Sequence, residues 1–190
     1  PVMDEIRRDF SESMDIQLIV GGLRPGTKEP LTAEWRDLVL HHWHEVNKMT
    51  GQPFQFDFAM PKGWRYDTEP ADRAAVSVRQ LQPESAIDFL EAVQEAFYVE
   101  NRDVTDEGVL ADLAEEAGVP RFEFSEKFNA DQTKWSTQSD FARARSYGIS
   151  GFPSIILEDA REPILLTFGY QTYDVLRPRI EQWLGEAVFE

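Results

Sequence analysis

With 190 residues, 42% of them hydrophobic, the chain is long enough to bury one good core and too short to require two. Thirty-five acidic residues against 19 basic ones leave a formal charge of -16, which repels phosphate backbones and anionic lipid surfaces and so excludes nucleic acid and membranes as partners. Cysteine is absent, which rules out a disulfide framework, a thiolate metal site and a thiol nucleophile within these residues.

Pro1 opens a stretch in which Val2, Met3, Ile6 and Phe10 share one face and Asp4 and Glu5 occupy the first turn, where carboxylates suit the positive end of a helix. A helix beginning at or before the first residue is predicted. In 15–20, Ile16, Leu18 and Val20 alternate with Asp15, Gln17 and Ile19, the pattern of a strand, and the run ends at Gly21-Gly22. A turn through Pro25-Gly26 follows, up to Pro30.

From 31 to about 146 the spacing is mostly helical. Leu31, Trp35, Leu38, Val39, His42, Val46 and Met49 form the expected apolar stripe of one long helix, with Thr32 as a cap. Gly51-Gln52-Pro53 stops it. Phe54, Phe56 and Phe58 then alternate in an extended stretch ahead of Pro61 and Gly63. Further helices are predicted at 70–81, 83–100, 106–117 and about 129–146, with Gly118 closing the third of these. The period then changes. Residues 154–157 and 164–168 are short β-branched runs separated by a turn, a hairpin, and 173–184 returns to helical spacing with Pro178 near its first turn or kinking it.

No run of about eighteen apolar residues and no charged-then-apolar leader is present, so a cytoplasmic location is expected. His41 and His44 stand one helical turn apart, as a metal pair would, but no second ligand cluster accompanies them, and a structural or surface role is the expectation. Most of Trp35, Trp43, Trp64 and the alternating phenylalanines are expected in the core, with Trp64, between Gly63 and Arg65, the candidate for exposure. Gly21-Gly22 follows a predicted strand, so its amides either line a pocket at that strand's carboxyl end or simply form a tight turn, which is the safer reading of a two-glycine loop. No spacing around it matches a phosphate loop.

The most informative segment is Gly148-Ile149-Ser150-Gly151-Phe152-Pro153-Ser154, a glycine-punctuated turn that places a proline at the start of a buried strand. Such a proline donates no amide, and its peptide bond is of the one kind that adopts the cis form at low cost. This turn, with the hairpin and terminal helix behind it, resembles the second half of the thioredoxin fold. Upstream, 96–104, Val109-Leu110 and Ala117-Gly118 are similar to the helical insertion of DsbA-like and hydroxychromene-carboxylate-isomerase-like proteins.

The resemblance implies an α/β thioredoxin fold of the DsbA type with a large all-helical insertion. Residues 1–30 and 147–190 would form the thioredoxin-like domain and 31–146 the insertion. It further implies a thiol–disulfide oxidoreductase, related to protein disulfide isomerases, in which Ser150, Gly151, Phe152 and Pro153, with Gly21 and Gly22, bind an extended substrate and Phe152 gates access. The partners so implied are protein or peptide thiols, or glutathione as a co-substrate, with no bound cofactor and no metal. In redox members a C-x-x-C opens the first helix just after a central strand. Neither lies within this sequence, no catalytic residue is identified in it, and both strand and motif are expected upstream of Pro1. Two rivals stay open: a glutathione-dependent isomerase or transferase akin to the kappa class, with a serine or single cysteine in that place, and a peptide-binding module without chemistry.

Overall fold

The computed structural model describes residues 1–187. Its elements in chain order are α1 (Val2–Phe10), α2 (Ala33–Thr50), α3 (Glu69–Leu81), a 3-10 turn (Pro83–Ser85), α4 (Ala86–Tyr98), α5 (Glu107–Glu116), α6 (Arg121–Asn129), α7 (Asp131–Ser146), β1 (Ser154–Leu157), β2 (Ile164–Phe168) and α8 (Tyr173–Ala187). No helix among the described residues is long and apolar enough to cross a membrane.

Two apolar clusters hold these elements. One gathers Val20 with α2 to α7 and the aromatic loop between α2 and α3, and includes Val39, Trp43, Phe58, Trp64, Phe89, Phe97, Phe124 and Phe141. The other joins α1 to the hairpin and α8 through Ile6, Phe10, Leu157, Leu166, Leu176, Ile180 and Trp183. The predicted face of α1 therefore buries against α8. β1 and β2 pair antiparallel, Ser154 opposite Phe168 and Leu157 opposite Ile164, and a bulge between Ile155 and Ile156 shifts the register by one residue. Pro178 lies well inside α8, which continues past it rather than starting near it.

Three expectations are corrected and one helix is added. The run 15–20 is extended but is not a strand, because among the described residues no backbone group of it bonds to another backbone group. Alternation supplies the side-chain pattern of a strand, while the ladder needs a neighbour.

Only Leu31 and Val39 of the predicted α2 stripe face the core. Thr32 caps the helix, its Oγ1 accepting from the Trp35 amide at 3.3 Å, but the buried side chains are Val39 and Trp43. Trp35, Leu38, Val46 and Met49 lie outward with His42. Two apolar rows share this helix, and the row carrying the indole wins because four rings meet it. Phe58, Phe97 and Tyr98 stand edge-on at centroid distances of 5.0, 5.5 and 5.2 Å, and Phe54 is tilted at 5.6 Å.

Trp64 is buried rather than exposed. Its amide bonds back to the Pro61 carbonyl at 3.1 Å, and Gly63, at a φ of +86°, turns the chain inward. The indole then packs on Phe97 at 5.9 Å and donates from Nε1 to Asp103 Oδ1 at 2.8 Å. Phe54, Phe56 and Phe58 do alternate inward, without forming a strand.

Helix α6 was not predicted. Phe124 and Phe128, four residues apart and both buried, with Pro120 at the N-cap, are the signal that marks it.

Candidate functional site

The loop before β1 and the loop after the extended run meet at one place, although about 130 residues separate them. The Phe152–Pro153 peptide bond is cis. Ser154 Oγ donates to the Gly151 carbonyl at 2.9 Å, and the Pro153 carbonyl accepts from the Gly169 amide at 2.7 Å, which ties both flanks of the proline to the hairpin.

Phe152 lays its ring on Gly21 so closely that a Cβ there would lie 1.9 Å from the ring's Cε1 and Cζ. A Cβ on Gly22, whose φ is +70°, would lie 2.8 Å from Cδ1 of Phe141. A Cβ on Gly151 would stand 3.1 Å from Cζ of Phe168. At each of these approaches a ring occupies the space a side chain would take. Four of the six residues singled out from sequence, Gly21, Gly22, Gly151 and Phe152, lie in this one patch. Ser150 and Pro153 flank Gly151 and Phe152 on its exposed side.

Sequence reasoning missed what holds the patch in place. Arg79 of α3 and Asp140 of α7 pair at 2.7 Å, and both also reach the extended run. Asp140 Oδ2 accepts from the Val20 amide at 3.2 Å, while Arg79 Nη1 donates to the Leu18 carbonyl. An ion pair between two helices therefore satisfies backbone groups that a neighbouring strand would otherwise satisfy, and it fixes the approach to Gly21. A carboxylate on the buried row Thr133, Thr137, Asp140, Phe141, Ala144 was the available clue, since such a group needs a partner.

A second anchor lies one turn further along the loop. The Thr68 hydroxyl accepts from the Arg24 amide at 3.1 Å and hydrogen-bonds the Asp72 carboxyl. Burial pushes Asp72 up to about 7 from its ordinary 3.8, only partly offset by Thr68, and its Oδ2 has no hydrogen-bond partner among the described residues. A carboxyl held above its unfolded value binds its proton more tightly in the folded state. The contribution to stability is therefore complete below about pH 4 and is lost as pH rises through about 7. Asp72→Asn is expected to remove that fall and to raise stability at pH 8 by roughly 1–3 kcal/mol relative to its effect at pH 4, partial hydration holding it below the full shift. Urea unfolding of both proteins across this range checks it, and a difference that does not change with pH would refute it.

His41, His42 and His44 are exposed on α2. His44 stacks on Phe56 at 3.9 Å. Among the described residues no group of three or more histidine and carboxylate side chains is placed to hold a metal.

A family model for the DSBA-like thioredoxin domain matches residues 24–181. A candidate protein disulfide isomerase from Nitrosomonas europaea is 40% identical and superposes with a TM-score of 0.92 over 98% of this chain and 89% of that one. The cytosolic disulfide reductase DsbM from Pseudomonas aeruginosa, also crystallised with GSH, is 24% identical, with a TM-score of 0.78 over 96% and 90% of the two chains. The ClpXP adapter protein SpxH from Halalkalibacterium halodurans is 19% identical over 97% of this chain, which spans 62% of that protein's length.

Proposed function

The chain belongs to the DSBA-like thioredoxin family and has the α/β fold of that family with its helical insertion, and from that premise we propose that it is the substrate-binding part of a cytoplasmic thiol–disulfide oxidoreductase whose C-x-x-C lies ahead of Pro1. On this reading residues 31–146 are the insertion, and 1–30 with 147–190 are the thioredoxin-like body.

One observation carries the reading. The run 15–20 and β1 send Ile16 and Ile155 into the same apolar cluster, yet no ladder joins them, and β1 pairs only with β2 among the described residues. A strand laid between them would pair with both edges. The helix that follows such a strand is α1, so the strand's end would present a motif at the α1 N-terminus. A thiolate there is favoured by the positive end of the helix and is the nucleophile of disulfide exchange. Ser150, Gly151, Phe152 and Pro153 would then offer backbone groups to an extended substrate, as an edge strand does, with Phe152 lying over Gly21 as the gate.

Glutathione is the favoured reductant, because one neighbour of this fold has been crystallised with it. A binding module without turnover is the second reading, favoured by the adapter role of the curated relative and by the lack of cysteine in these residues.

The test is to sequence the natural polypeptide ahead of Pro1 and assay the full-length protein for glutathione-dependent reduction of a peptide disulfide. A C-x-x-C whose first cysteine, changed to serine, loses activity at least 100-fold supports the oxidoreductase. A lone serine or single cysteine there would move the assignment to a glutathione transferase or isomerase. A full-length protein without cysteine would leave the binding module.

A further inference from the structure

Three residues past Gly21 the chain delivers a cation into a cleft. Arg24, Glu29, Pro30, Leu31, Thr32, Trp35 and Tyr66 line a cavity of about 330 Å³, at the lower end of the sizes that hold small ligands. The guanidinium of Arg24 sits 4.6 Å from the Trp35 ring centre and 5.9 Å from that of Tyr66. Its Nε is buried without a hydrogen-bond acceptor, and among the described residues no carboxylate pairs with it. In a chain with 35 carboxylates and 19 basic side chains, a half-buried arginine set beside two aromatic rings and left without an anion is conspicuous, because a guanidinium meets a carboxylate with its fork in two places.

The surroundings set the ligand class. Burial pushes the Tyr66 phenol well above its ordinary range, so it stays neutral. Two carboxylates stand close: Glu29 lines the cleft, and Glu34 turns back on its own amide and on Thr32 at the α2 N-terminus. That helix end is thus already served, and attraction for an anion rests on Arg24. Three residues span at most roughly 10 Å, so the backbone of Arg24 lies within that distance of Gly21, on which the Phe152 ring rests.

We propose that the Arg24 cleft binds the terminal carboxylate of a short thiol-bearing peptide whose other end reaches the Phe152–Pro153 loop. The inference rests on the oxidoreductase reading for the identity of that loop, but its test does not. This chain has no cysteine, so binding is measured without any thiol exchange.

Isothermal titration of the chain with S-methylglutathione, with its glycinamide analogue and with the tripeptide Ala-Ala-Gly decides it. S-methylglutathione is expected to bind at least 10-fold more tightly than the analogue, Arg24→Gln to lose that preference, and Arg24→Lys to keep part of it. Glu29→Gln is expected to tighten binding about 2–3-fold by removing a like charge. Ala-Ala-Gly binding as tightly as S-methylglutathione would identify peptide termini in general as the source of the carboxylate, and weaker binding would identify glutathione-like ligands; both keep the cleft. Equal binding of acid and amide, affinity unchanged in an Arg24→Gln protein that unfolds at the wild-type temperature, or no binding of any probe would overturn it. None of these outcomes depends on whether a C-x-x-C precedes Pro1.

Discussion

Gly22→Ala is expected to destabilise the protein by about 2–4 kcal/mol, whereas Gly21→Ala, whose added carbon meets a closer neighbour, is expected to cost under about 1 kcal/mol. The reason lies in the rings rather than in the distances. At Gly22 the new Cβ would stand 2.8 Å from Phe141, a side chain only 1% exposed with no free volume to retreat into. The left-handed backbone at φ +70° adds the usual penalty for a residue with a Cβ. At Gly21 the new Cβ would overlap Phe152, but that ring is 44% exposed and swings outward. Urea midpoints of the two variants read the stability difference, and the aromatic proton shifts of Phe152 read the displacement. Equal costs, or a costlier Gly21 variant, would refute the picture. In the full-length protein the Gly21 variant should then change substrate affinity while leaving the fold intact, because it moves the proposed gate.

Asp140→Ala is expected to lower stability by roughly 2–4 kcal/mol, somewhat less than a fully buried pair because Arg79 keeps some solvent contact. At this chain length that is a fall of roughly 6–12 °C in melting temperature. Removing the carboxylate strands the Arg79 guanidinium and takes the acceptor from the Val20 amide. A double change, Asp140→Leu with Arg79→Met, should recover only part of the loss. It removes both charges together, which alone is often neutral, but still leaves the Leu18 carbonyl and Val20 amide without their side-chain partners. Full recovery would show that those two backbone bonds contribute nothing. A single-variant loss under about 0.5 kcal/mol would show that the pair is not what fixes the loop.

Much of the fold was legible because it depends on local pattern. The helices of 31–146, apart from α6, follow from apolar spacing and from caps such as Thr32 and Asp106, whose side chains accept from amides three residues on. The hairpin follows from two β-branched runs around a turn. The resemblance carried by the proline turn supplied both the fold and the expectation that the two glycine loops form a site.

Other features were not legible, each for a definite reason. On α2 both rows of apolar residues satisfy helical periodicity, and only the aromatic loop 54–66, packing on one side, decides that Trp43 goes in and Met49 stays out. The run 15–20 has the alternation of a strand, but pairing is a property of a neighbour and not of the run itself. Trp64 looked exposed from its loop position, yet a turn at Gly63 and a hydrogen bond to Asp103 bring it inside.

By itself the sequence determined most of the helices and the hairpin, the absence of a thiol in these residues and the two loops worth watching, since those depend on residue identity and on spacings of a few positions. The tertiary structure alone decided that Phe152 lies on Gly21, that Arg79 and Asp140 hold the approach to it, and that Arg24 enters a cleft between Trp35 and Tyr66. Those contacts join residues about 10 to 130 positions apart, and no local periodicity records which of many distant partners a side chain will meet once the core has closed.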